Sequence, residues 1–267
     1  MSKKVTVCLC VKDRQNIVKN TIDILLNQDY ENYEILLCDG KSNDMTMTTL
    51  LKYQEDYPGK IVAWQTEEPG YVNTHNFILS KAKGEYICFV DSDDIVDGGK
   101  LKEQVKFLDE HPDVDVVSSC VMFPDKKVLV NSCVELNDEV ISNALKNDIP
   151  MNTICHFQSC MFRRKCLDKF TGSKYFFDEY DTGRCGEGFL YTLHFLGYKF
   201  ANIITTVYVY LRGVIKSGMT EKIVPEFADI IDDMKYEDKK NHILELFNKY
   251  NPPKQKRGRP KKNTQIS

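Results

Sequence analysis

No run of eighteen apolar residues occurs in the 267-residue chain, so no membrane-spanning helix is expected. The N-terminus, MSKKVTVCLCVKDR, has too short an apolar run and no small-residue cleavage site for a secretion signal, and it reads better as a first strand. A cytoplasmic location is the expectation from that. No Cys-x-x-Cys pair is present among the ten cysteines, which argues against a structural zinc site. Reduced thiols are the simpler reading: Cys8, Cys10, Cys38, Cys88 and Cys120 lie in or beside apolar runs, where cysteine acts as a small hydrophobe. No internal repeat is visible. Residues 254–262, KQKRGRPKK, lack any acid and carry six positive charges; against a formal net charge of −3, that leaves about −9 on the remaining chain. The composition, 42% hydrophobic and 28% charged, is that of a soluble globular protein, and the length suits one large α/β domain with a tail.

The first half alternates strand and helix. Strands are expected over Val5–Val11, Tyr33–Cys38, Ile61–Gln65, Tyr86–Val90 and Val114–Cys120, and helices over Asn16–Asn27, Asn43–Tyr53, Val72–Ala82 and Lys100–Glu110. Such alternation gives a mostly parallel sheet covered by helices on both faces, with ligands at the carboxyl ends of the strands. The second half is less regular. It offers strands over Lys127–Val134, Ile154–Phe162 and Phe200–Leu211, and helices over Asn137–Lys146, Gly188–Leu196 and Glu226–Tyr250.

The stretch GEYICFVDSDD, Gly84 to Asp94, runs a buried strand straight into three carboxylates within four positions. Like charges so close repel and raise one another's pKa. A bound cation, several backbone N–H groups or a hydroxyl-rich ligand would each justify them. Asp39 also follows a strand directly, so two strands deliver carboxylates to one edge of one sheet.

Here the sequence resembles a known family. VTVCLCVKDRQNIVKNTIDILLNQDYENYEILLCDGKSNDMT resembles the opening of the family-2 glycosyltransferases, and AKGEYICFVDSDD their Asp-x-Asp segment. HFQSCMFRR and GEGFLYTLHFLGYKF resemble two later family segments, so the likeness covers about residues 5–220. The resemblance implies the GT-A fold: a Rossmann-like, mostly parallel sheet flanked by helices in a single domain. It implies an inverting, hexosyl-type transfer from a nucleotide sugar, UDP-type by preference, to a hydroxyl on a glycan, protein or other acceptor, assisted by Mn²⁺ or Mg²⁺. Residues 1–220 would form the transferase domain, with 1–120 as the nucleotide-sugar half and 121–220 as the acceptor half. Residues 221–250 would be a helical extension and 251–267 a basic disordered tail.

By the same resemblance, Asp39 contacts the base, Asp91 lies near the ribose and diphosphate and shares the metal, and Asp93 is the main metal ligand. Asp94 steadies the turn or faces the acceptor. Asn76 lies near the nucleotide, where His75 stands in place of an arginine. The family's catalytic base is usually the Asp of a Glu-Asp pair. Here Glu187 matches the Glu, but Gly188 stands at the Asp position, so Glu187 or Asp181 is the candidate base. The family's later Tyr-Arg-x-His segment lacks its His, leaving Arg212 for phosphate and His156 as a candidate acceptor or metal contact. The Gly188 departure keeps open a degenerate nucleotide-sugar binder. The tail segment KRGRPKK resembles an AT-hook core, with Arg257 and Arg259 as candidate DNA contacts, which keeps open a nucleic-acid-tethered transferase and a nuclear or DNA-associated location.

Overall fold

The computed structural model describes residues 5–123, 128–129, 136–172, 174–176, 185–209 and 236–250. The strands are β1 Val5–Val11, β2 Tyr33–Asp39, β3 Ile61–Gln65, β4 Tyr86–Phe89, β5 Ile95–Val96, β6 Val116–Phe123, β7 Val128–Leu129, β8 Met161–Arg163 and β9 Phe200–Val209. The helices are α1 Val18–Leu26, α2 Thr46–Asp56, α3 Tyr71–Lys81, α4 Lys100–Glu110, α5 Asp138–Lys146, α6 Met151–Ile154, α7 Cys185–Phe195 and α8 Tyr236–Tyr250. One sheet runs β3-β2-β1-β4-β8-β6-β9-β5, with β7 paired onto β6.

β1 shows why the sheet has two covered faces. Val5, Val7, Leu9 and Val11 point to one side, where they pack with Ile22 of α1, Leu50 of α2 and Leu101 and Leu108 of α4. Cys8 points to the other, with Val72 and Ile78 of α3 and Phe189 of α7. The period of two sorts one strand's side chains between two cores. The four strands β3, β2, β1 and β4 are parallel, so the loops after Val11, Asp39, Gln65 and Phe89 share one edge. Chain progress reverses between β1 and β4, and a crevice at that switch is where such sheets bind ligands. Beyond β4 the sheet is mixed: β8 is antiparallel to both β4 and β6, while β9 is parallel to β6. Both halves of the chain thus share one sheet and one α/β domain.

The run Ile154–Phe162 is largely not a strand. Ile154 ends α6, Phe157–Ser159 form a 3-10 turn, and only Met161–Arg163 pair. A continuous buried apolar run does not declare its own period. The second helix starts at Thr46 rather than Asn43, because Asp44 turns its Oδ1 back onto Thr46 N at 2.9 Å. β5 was not foreseen; two residues antiparallel to β9 follow the acidic turn directly. The expected strand to Leu211 is described to Val209, and the expected helix from Glu226 is described from Tyr236. None of the nine described cysteines is in a disulfide, and burial pushes the Cys8 and Cys88 thiols upward, so they stay protonated.

Gly84 precedes β4 and gives its N–H to Thr6 Oγ1 at 2.8 Å. A β-carbon there would sit 2.6 Å from Thr6 N, a backbone atom that cannot move without shifting β1. Gly84→Ala is expected to destabilise the fold by about 1–3 kcal/mol, read from the urea midpoint.

Candidate functional site

The acidic turn joins β4 to β5 at the carboxyl edge beside β1. Asp91 and Asp93 are half-buried, while Ser92 and Asp94 are buried. The Asp91 Oδ2 accepts from Gln158 Nε2 at 3.0 Å. The Tyr208 hydroxyl donates to Asp94 Oδ2 at 2.7 Å and accepts the Asp91 N–H at 3.3 Å. Thr21 Oγ1 donates to Ser92 O at 2.8 Å. Asp93 takes no hydrogen bond from a described side chain. Burial, followed by the charges of Asp94 and Asp93, pushes the Asp91 carboxyl well above the usual carboxylate range; the Gln158 N–H and the Arg14 charge oppose this.

Arg14 was not singled out from the sequence. It lies in the loop after β1, half-buried, with Nη1 donating to Lys12 O at 3.4 Å and Asp13 O at 3.3 Å. Its Nε is buried without a partner. An arginine that stabilises the Asp91 carboxylate and keeps a buried donor unspent is suited to an anion at this edge. Its loop is clasped to the loop after β2: Arg14 N donates to Thr46 Oγ1 at 2.8 Å, Asp13 N to Ser42 Oγ at 2.8 Å, and Asn43 N to Asp13 Oδ1 at 2.7 Å.

Asp39 ends β2 with no exposed surface. Gln65 Nε2, at the end of β3, donates to its Oδ2 at 2.7 Å, and both the N–H and the hydroxyl of Ser42 donate to it as well. In this arrangement Asp39 organises the two neighbouring loops.

The other sequence candidates are less concentrated. Asn76 spends its amide on the segment before residue 177: its Oδ1 accepts from Tyr175 N and Phe176 N at 2.7 and 2.9 Å, and its Nδ2 donates to Phe176 O at 2.9 Å. His156 precedes the turn that carries Gln158, its ring centroid 6.4 Å from that of Tyr208, and burial lowers its pKa to about 4. Glu187 is buried in the first turn of α7, its oxygens 3.4 Å from both Asn152 N and Asn152 Nδ2. Cys10 of β1, whose thiol is raised first by burial, also feels the Asp91 charge, so β1 runs beside the acidic turn. Asp181, Arg212, Arg257 and Arg259 lie outside the described residues. Tyr208 and Gln158 were missed because each meets the turn across a long sequence separation, without a local signature.

Among the described residues, no three His, Cys, Asp or Glu side chains converge on a metal position. Asp91 and Asp93 supply two carboxylates. That fits a hard cation completing its shell with phosphate and water, and such a cation would relieve the repulsion felt by Asp91. A cavity of about 960 Å³ between α4, α5 and the start of β9 includes none of these carboxylates. No described helix is long and apolar enough to cross a membrane.

His75 faces the core. It is stacked on Tyr71 with centroids 3.9 Å apart, with Phe89 at 5.4 Å, and its Nδ1 sits 2.8 Å from Tyr71 O, which places the proton on that nitrogen. Burial lowers its pKa from 6.5 to about 4. The neutral ring is therefore favoured in the fold, and its contribution is complete above pH 6.5. As pH falls towards about 4 the unfolded chain takes the proton first, at a cost of about 3 kcal/mol. His75→Phe is expected to flatten the urea-midpoint profile across this window.

The sequence matches the family described as Glycosyl transferase family 2 over residues 6–171. The putative glycosyltransferase EpsE of Bacillus subtilis (strain 168) is 31% identical over 124 residues, 46% of this chain and 45% of that protein. The chain spans less than half the length of the curated relatives it matches. The crystal structure of Staphylococcus aureus TarS 1–349 in complex with UDP-GlcNAc superposes with a TM-score of 0.70 at 20% identity, covering 92% of this chain and 72% of that one. The mannosyltransferase PcManGT from Pyrobaculum calidifontis, in complex with GDP-Man and Mn²⁺, gives 0.59 at 21% identity, covering 94% and 72%. The mostly parallel sheet flanked by helices is the GT-A architecture these neighbours share, and the family match extends from β1 through the acidic turn to β8. On that match, the chain belongs to glycosyl transferase family 2.

Proposed function

We propose that this chain transfers a sugar, with inversion, from a UDP-type nucleotide sugar to an acceptor hydroxyl. The observation that carries the reading is the acidic turn at the β1/β4 switch, with Asp91 and Asp94 held from outside and Asp93 left for a ligand. The UDP-GlcNAc held by TarS and the GDP-Man and Mn²⁺ held by PcManGT support a nucleotide-sugar donor and a divalent cation.

Asp93 and Asp91 would hold Mn²⁺ or Mg²⁺, which when bound neutralises charge developing on the departing diphosphate. Arg14 offers its unspent Nε to the same diphosphate. Arg212, outside the described residues, is a second phosphate partner in this reading. Asp39 accepts the base imide N–H once Gln65 turns, and Gln65 then has an amide donor for a base carbonyl. Two of the three donor groups on Asp39 come from Ser42 in its own loop, and the third, Gln65, is the one whose turning frees an acceptor site for a base N–H. Asn76 keeps the segment up to Phe176 against α3, and His156 stands behind Gln158 at the acceptor side. Glu187 takes the acceptor proton.

A panel of UDP-, GDP- and dTDP-sugars with Mn²⁺ tests this, scored for binding and for nucleoside diphosphate release. UDP-sugar cleavage is the expected result, and its absence with every donor overturns transfer. Gly188, together with Glu187 buried against Asn152, favours one second reading: a nucleotide-sugar binder without turnover. Binding without release from any donor would select it.

A further inference from the structure

Three carboxylates in four positions do not hold a single geometry unaided, because each repels the others. The donors that restrain this turn come from distant elements. Tyr208, near the end of β9, has no exposed surface and places its hydroxyl between Asp94 Oδ2, at 2.7 Å, and the Asp91 N–H, at 3.3 Å. Gln158 reaches Asp91 Oδ2 from the 3-10 turn at 3.0 Å. That turn is itself pinned from α4: buried Gln104 donates to Ser159 O at 2.7 Å, and the buried Lys100 ammonium donates to Gln104 Oε1 at 2.7 Å. Asp91 and Asp94 are thereby fixed from two sides, and the residue between them, Asp93, is presented.

We infer that Tyr208 and Gln158 are positioning residues, a two-point clamp from the second half of the chain that presets the acidic turn for a cation and the diphosphate it accompanies. The inference rests on the glycosyl-transfer reading above. The clamp contributes by preorganisation: a carboxylate already oriented need not be ordered when the ligand arrives. Removing such an outer partner typically costs about 10–100-fold in metal affinity.

The test uses the full chain with Mn²⁺ and UDP, following free Mn²⁺ by electron paramagnetic resonance. Tyr208→Phe and Gln158→Met each delete a donor while nearly preserving shape. Each is expected to weaken Mn²⁺ binding about 10–100-fold. Tyr33→Phe removes a similarly buried hydroxyl bond, to Leu25 O at 2.7 Å, away from the turn, and is expected to leave binding unchanged. Wild-type affinity in both clamp variants overturns the inference. Should Tyr208→Phe not fold, Gln158→Met carries the test alone. Amide hydrogen exchange at residues 91–94 without ligand gives a second readout, independent of turnover. Faster exchange in the clamp variants than in Tyr33→Phe supports the clamp, and equal exchange rejects it. If wild-type protein binds no Mn²⁺ with UDP, the metal-assisted reading fails while the exchange comparison still decides the clamp.

Discussion

Asp93→Ala is expected to lower metal-dependent nucleotide-sugar cleavage about a thousandfold while leaving the fold at least as stable as before. The first half follows from charge. A cation at a leaving diphosphate stabilises the transition state by several kcal/mol, and about 4 kcal/mol is about a thousandfold in rate. The second half follows from the turn. Asp93 takes no hydrogen bond from a described side chain, and its charge is among those that push the Asp91 carboxyl upward. Deleting it removes repulsion and breaks no described contact. Nucleoside diphosphate release and the urea midpoint, measured on one preparation, separate this from general damage: a misfolded variant loses both. A variant that keeps its rate removes Asp93 from the site and leaves Asp91 as the remaining candidate ligand.

How much of this was legible in the sequence depended on the range of the forces involved. β1 to β4 and the helices between them were readable because alternation at period two and spacing at 3.6 are local patterns set by burial. The acidic turn was readable because its strain is local too. The segment 154–162 was not, since a run buried on all sides carries no period, and a 3-10 turn replaced the expected strand. β5 is two residues long and exists only because β9 pairs with it. Tyr208 and Gln158 are chosen by contacts across 114 and 67 positions, and nothing near either residue announces a partner. Asp39 was placed at the correct edge, but its burial under Gln65 depends on β3 lying beside β2, a fact of topology rather than composition.

Glu187→Gln separates the two roles open to that residue. Glu187 lies in the first turn of α7, where any carboxylate gains from the helix dipole. It is also the carboxylate that matches half of the family's Glu-Asp pair, and Gly188 behind it cannot take a proton. Its oxygens lie 3.4 Å from the Asn152 N–H and from Asn152 Nδ2. If it is the base, replacing it with the isosteric amide removes basicity and retains shape. kcat is then expected to fall about 100- to 10,000-fold with KM little changed. If it only serves the helix, the loss is the dipole contribution of about 0.3–1 kcal/mol in stability, and kcat stays within a few-fold. The two outcomes differ by orders of magnitude in one parameter, so steady-state rates on the preferred donor decide between them. A kept kcat moves the proton acceptor to Asp94 or Asp181.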